Sequence, residues 1–188
     1  MAVYKIFPYK DTSLYSDYPS MNTGIDPILQ VSNLNFAVDS SPSVARSIIA
    51  FDTSEIQDVL NNKETGTWDA GLKAYIATAQ GIVEDSILEV FPVYDSWNQG
   101  TGTYLDQPIT SDGAAWNSPT LGGFTPWNIG GPSLGYTSSY NPTYSPPGGG
   151  SWYASSSNGT ITYPITQSFG PRTEKDLNVT ISSMVEDW

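Results

Sequence analysis

Apolar positions along this chain recur at every second residue, in runs of four to eight, and not with a helical period. At the start, Val3, Lys5 and Phe7 alternate with Tyr4, Ile6 and Pro8, which predicts a short strand. A second strand is expected in TSLYSD. The loop built on Pro19, Asn22 and Gly24 then leads to a strand beginning with Ile28, Leu29 and Val31. In ARSIIAFD, Ile48, Ile49, Ala50 and Phe51 are apolar on both faces, the pattern of a strand inside a sandwich. Asp52 stands three residues before Glu55, a capping-box spacing that opens one or two helical turns in DTSEIQDVL. GLKAYIATAQ predicts a strand with Leu72, Ala74, Ile76 and Thr78 on one face. SILEVFPVYD, with Leu88, Val90 and Pro92 alternating, is expected as its partner. GTITYPITQSF and DLNVTI offer two more strands, and SSMVEDW starts a helical turn with Ser183 as cap and Glu186 three residues on. Short strands separated by turn signals predict an all-β sandwich or barrel. The absence of strand–helix alternation argues against a parallel nucleotide-binding sheet.

The alternation breaks down over residues 117–150, which hold eight Gly and six Pro. No regular strand is expected at that density of breakers. The segment is nevertheless rich in aromatic residues, which a disordered linker lacks. It is therefore read as an ordered loop held by ring contacts. Phe124, Trp127, Tyr136, Tyr140, Tyr144, Trp152 and Tyr153 are candidates for a subunit interface, where Tyr and Trp are enriched, or for stacking on sugar rings. The length and low charge of the loop favour the interface.

Charge and composition narrow the chemistry. The 188 residues carry 19 acidic and 7 basic side chains, a net charge of −12, with no His and no Cys. A polyanion is repelled by such a chain, so nucleic acid is excluded as a partner. Without His or Cys there is no Ser-His or Cys-His nucleophile, no disulfide and no thiolate zinc site. No enzymatic activity is expected. Asp11, Asp17, Asp26, Glu84, Asp85, Asp106 and Asp112 could offer oxygen ligands to calcium, but none has EF-hand spacing; no cofactor is expected, and structural calcium is not indicated by any motif. No stretch approaches the roughly 20 apolar residues of a membrane span, and the start MAVYKIFPYKD lacks the pattern of a secretion signal. The sequons at Asn158 and Asn178 are accordingly read as accidental. The chain stops one turn into a helix at Trp188, so either further residues or a neighbour are expected to cover that end.

Two further pieces have structural readings. In SWNQGTGT and DGAAW, Trp97 and Trp116 are expected to anchor a loop beside the sheet. Gly100 and Gly102 would supply backbone angles, and an exposed sugar platform is the alternative. Arg46 and Asp52, an even number of residues apart on one strand, are expected on one face as an ion pair.

Taken in order, Asp11-Thr12, Pro19-Asn22-Gly24, RSIIAFD from Arg46 to Asp52, Ser96-Trp97 with Gly100-Thr101-Gly102-Thr103, Asp112-Gly113-Ala114 with Trp116, and the tail from Asp176 to Trp188 cover most of the chain. This set resembles the DNRLRE-type jelly-roll domain, a family also described as a carbohydrate-binding module. The variant TSLYSDYPSMNTGID is most similar to forms found in structural proteins of tailed phages, particularly those of marine cyanobacteria. The resemblance implies a single domain over residues 1–188: a jelly-roll β-sandwich of two antiparallel sheets with long Gly/Pro/aromatic-rich loops and one or two short helical turns. Two departures stand out. A loop insertion occupies about residues 117–160, and the last strand of the family is missing, which would leave an open sheet edge for another chain. The implied role is a non-enzymatic virion structural protein, a fibre, neck, tail or capsid-decoration component. It would be assembled in the host cytoplasm and pack against copies of itself or other virion proteins. The alternatives are a carbohydrate-binding module recognising a cell-surface glycan and a subunit of an extracellular filament.

Overall fold

The computed structural model describes residues 2–34, 43–63, 66–79, 85–120, 125–128, 130–131, 136–138, 148–153, 155–156, 159–173 and 175–188. Strands β1 (Lys10–Tyr15), β2 (Ser32–Leu34) and β3 (Ser43–Ala50) form an antiparallel sheet in the order β1-β3-β2. Thr12 stands opposite Ile48 and Leu14 opposite Arg46. Side chains alternate across a strand, so Leu14, Val44, Ile48 and Ala50 share one face. That face packs against Trp97, Ala114, Trp116 and Trp127 in the first apolar cluster. Full burial of each large side chain there contributes about 1.5–3 kcal/mol.

Side chains protect the margins of this sheet. Ser13 N donates to Thr23 Oγ1 at 3.1 Å, and Thr23 Oγ1 donates back to Ser13 O at 2.8 Å, so a threonine closes the outer edge of β1. On the face opposite the core, Gln30 N donates to Ser13 Oγ at 2.8 Å and Ser47 Oγ donates to Gln30 O at 3.0 Å. Tyr15, Met21 and Ala45 form a small satellite cluster with Tyr18 beside them.

Beyond β3, Asp52 caps helix α1 (Thr53–Asp58), accepting from Ser54 N at 2.8 Å, and a π-helical turn follows at Val59–Lys63. Strands β4 (Gly71–Ala74) and β5 (Ser86–Val90) are not partners of one another, contrary to the expected hairpin. β4 pairs with β10 (Leu177–Thr180), and β5 pairs with β9 (Ile165–Phe169), both antiparallel. β4 ends at Ala74 and does not run on to Thr78. Its partner begins at Leu177, and the next free amide, that of Ile76, donates to the Asp176 side chain at 2.9 Å. Tyr75 and Ile76 are exposed.

The two ladders meet through one side chain. Gln167 on β9 accepts from Asn178 N at 2.7 Å and donates to Asp176 O at 3.0 Å, standing where a backbone rung between β9 and β10 would be. Beneath them, Tyr163, Val179, Ile181 and Met184 make the second cluster, with Leu72, Val90 and Ile165 against it. Helix α2 (Ser182–Asp187) starts two residues earlier than expected. Ile181 holds the cap position without a side-chain bond, and Ser182 Oγ accepts from Ala70 N at 2.9 Å. Trp188 stacks on Phe51 with ring centres 6.4 Å apart.

The Gly/Pro-rich region does carry strands, against expectation. β6 (Gly130–Gly131), β7 (Tyr136–Ser138) and β8 (Ser151–Tyr153) form an antiparallel sheet in that order. Two or three residues suffice for a ladder, because the rungs are backbone groups that glycine also possesses. β8 is joined in turn to the continuation of β5, with Tyr153 N on Pro92 O at 3.0 Å and Tyr94 N on Ser151 O at 2.9 Å. Two other expected strands are absent. Residues 2–8 join no ladder among the described residues, and Ile28, Leu29 and Val31 are exposed, with β2 starting only at Ser32. The described chain is thus β-rich, built of small antiparallel sheets with few short helices.

Candidate functional site

The sequence motifs converge on Asn22, which is fully buried. Its Nδ2 donates to Gln99 O at 2.6 Å and to Ala114 O at 2.8 Å; its Oδ1 accepts from Gly24 N at 3.1 Å and Gly102 N at 3.0 Å. Every hydrogen-bonding position of the amide is therefore used. One side chain ties the Pro19–Gly24 loop, the Gly-Thr-Gly-Thr turn and the Asp-Gly-Ala segment together. Gly100 has φ 75° and would place a Cβ 2.3 Å from Asn22 Oδ1, so both conformation and space require glycine. Gly102 supplies room more than an unusual angle: a Cβ there would lie 2.3 Å from Asn22 O.

Carboxylates clamp the same turns. Asp112 accepts from Thr101 N at 2.9 Å and Thr101 Oγ1 at 2.6 Å, and Asp106 accepts from both the amide and the hydroxyl of Thr103. Hydroxyl donation first, and amide donation second, hold both acids below their ordinary value of 3.8. Ser54 does the same for Asp52. Asp26 accepts from Tyr104 N, and burial raises Asp11. Glu84 lies outside the described residues. Among the described residues, no three acidic side chains gather in a way that could hold a metal ion.

The Arg46–Asp52 ion pair is replaced by two separate roles. Asp52 is taken by the cap of α1. Arg46 lies between two indoles, 4.9 Å from the Trp116 ring and 5.3 Å from the Trp152 ring, and Nη1 donates to Gly148 O and Gly149 O at 3.2 Å each. Burial pushes its guanidinium down to about 10, against the pull of the Glu89 carboxylate, so it stays charged at neutral pH. Lys10 repeats the arrangement at smaller scale: Nζ sits 4.4 Å from the Trp97 ring centre and donates to Trp97 O at 2.6 Å. Both cations staple loops to the first cluster through their contacts with ring faces.

The aromatic candidates divide. Trp97, Trp116 and Trp127 are buried, and Trp127 Nε1 donates to Ala115 O at 2.9 Å. Trp127 is therefore a core residue and not an interface or sugar platform, because its polar edge is satisfied inside. Trp152 is half-buried between Arg46 and Phe91, the latter 4.9 Å away. Tyr153 is 36% exposed and meets Tyr94 edge-on at 5.3 Å. Tyr136 stands opposite Tyr153 in the β7–β8 register. Phe124, Tyr140 and Tyr144 lie outside the described residues.

Exposed large apolar residues lie elsewhere, four of them within residues 2–9 and four, Ile25, Ile28, Leu29 and Val31, within residues 25–31. Val3 is 70% exposed, Phe7 75% and Tyr9 62%, and Tyr4 is also exposed. Within residues 2–9 the one backbone–backbone bond among the described residues is Tyr9 N to Ala50 O at 3.0 Å. Sequence reasoning took this stretch for a short strand. Asn22 was read only as part of a loop, because three of its four partners lie 77 to 92 residues away, and Lys10 and Gln167 were missed, with partners 87 and about ten residues away. Comparison with protein-family models, with curated proteins and with solved structures finds no match for this chain.

Proposed function

We propose that this chain is a non-enzymatic structural protein of a tailed-phage particle, a fibre, neck, tail or capsid-decoration component built on a jelly-roll sandwich. The observation that carries the reading is the exposed apolar stretch Val3–Tyr9, which makes one backbone–backbone bond among the described residues. Such a stretch in water favours burial against another protein. The convergence of the resemblance motifs on Asn22 and Arg46 supports the jelly-roll assignment, because it gives each motif a mechanical task in one place. The polar chemistry is consistent with a scaffold: Asp52, Asp106 and Asp112 hold turns, and Lys10 and Arg46 hold loops. The glycan-binding alternative is the weaker reading, since Trp97, Trp116 and Trp127 turn inward and offer no face to a sugar.

The test is the composition of particles. In the cells that make this protein, particles purified through a density gradient and washed in high salt should retain the chain at a fixed copy number relative to the main capsid subunit. Loss of the chain on washing, or its absence from the particles, overturns the reading.

A further inference from the structure

We infer that residues 2–9 act as a donated strand, adding to the outer edge of β5 in a second copy of the chain. This rests on the assembly reading above and names the partner. Three observations carry it. The first is the segment itself: eight largely exposed residues, apolar apart from Lys5, whose one backbone–backbone bond among the described residues is Tyr9 N to Ala50 O, and which span about 26 Å if extended at 3.3 Å per residue. The second is charge. Residues 1–10 contain two of the seven basic residues and none of the nineteen acidic ones, which leaves five basic against nineteen acidic, a balance of −14, for the rest of the chain. A cationic segment on so anionic a body is electrostatically complementary to a neighbour's surface.

The third observation is the receiving edge. β5 pairs with β9 on one side, and no strand lies on its other side among the described residues. Asp85, Ile87 and Glu89 alternate onto one face of β5. All three are exposed, Ile87 at 65%. Antiparallel addition with Lys5 opposite Glu89 places Phe7 opposite Ile87 and Tyr9 opposite Asp85. One register thus satisfies the charge of Lys5 and covers the two apolar side chains. Main-chain hydrogen bonds supply affinity, and the alternate side chains supply the register.

Sedimentation and native mass measurements on the full chain test this. The wild type should self-associate. Removal of residues 2–8 should leave a folded monomer, with circular dichroism confirming the fold. Lys5→Glu and Glu89→Lys, both on exposed side chains, should each weaken self-association about tenfold, the order expected when one exposed ion pair becomes a repulsion. Mixing the two variants should restore it, because each then supplies what the other has lost; addition within one chain cannot give that result. A wild type that stays monomeric at high concentration overturns the inference, as does an oligomer indifferent to the deletion, or variants whose mixture is no heavier than either alone. A chain that is monomeric yet retained in washed particles defeats this inference and leaves the assembly reading standing. A chain that dimerises through residues 2–9 but is absent from particles does the reverse.

Discussion

Single residues in this protein act chiefly as ties between distant loops, and Asn22 is the clearest. Its amide makes four hydrogen bonds at full burial. Asn22→Ala leaves two amides and two carbonyls without their partner in a dry site, at a cost of about 3 kcal/mol or more. A urea titration should show that loss as a lower midpoint with little change in slope. A change below about 1 kcal/mol would mean that water replaces the amide. The acids around it give a pH signature. Asp112 is held below 3.8 by Thr101, so its contribution is present above 3.8 and is lost as pH falls through the lower folded value. Asp112→Asn should therefore be less stable than wild type at pH 7, with the gap narrowing below pH 3.8; a gap independent of pH would remove the clamp.

At the scale of elements, the side-chain rung matters most. Gln167 takes the place of backbone pairing between β9 and β10, so Gln167→Ala should cost about 1–2 kcal/mol. The Asn178 amide should also exchange with solvent faster than its neighbours in β10. Unchanged protection at Asn178 would show that another group holds the strands together. The elements also show what the sequence can and cannot disclose. β1, β3, β5, β9, β10 and α1 were readable from local apolar patterning and capping, because those signals come from residues close in the chain; α2 was readable as a helical turn, but its cap was not. The pairing of β4 with β10 was not readable, since partner choice depends on contacts about a hundred residues apart. The short strands β6, β7 and β8 were hidden for the opposite reason: glycine and proline suppress every local signal, while the ladder needs only a few backbone groups.

At the scale of the whole molecule, residues 86–94 join the two clusters. β5 pairs with β9, and its continuation pairs with β8; Val90 and Phe91 pack on the second cluster while Val93 packs on the first. One stretch of chain shared by both clusters should make them unfold together. Val93→Ala and Val179→Ala, on opposite clusters, should each lower one common calorimetric transition, by about 1–3 kcal/mol. Two resolved transitions, each responding to one substitution, would show the clusters to be independent. Of the candidate site, the backbone angle expected of Gly100 is present, whereas Gly102 is constrained by space, and Trp97 and Trp116 lie in the first cluster. The sequence misplaced Trp127 and the first strand, because apolar character alone does not say whether a ring or an alternating stretch meets its own core or the solvent.

The gathering of Trp97, Trp116 and Trp127 in one cluster also gives the molecule a built-in optical probe. Half of its six indoles share that dry environment, so blue-shifted emission from this group follows the first cluster, whereas Trp188, at 44% exposure beside Phe51, is open to small aqueous quenchers. Intrinsic light emission can thus separate events at the surface from those in the interior without any attached dye.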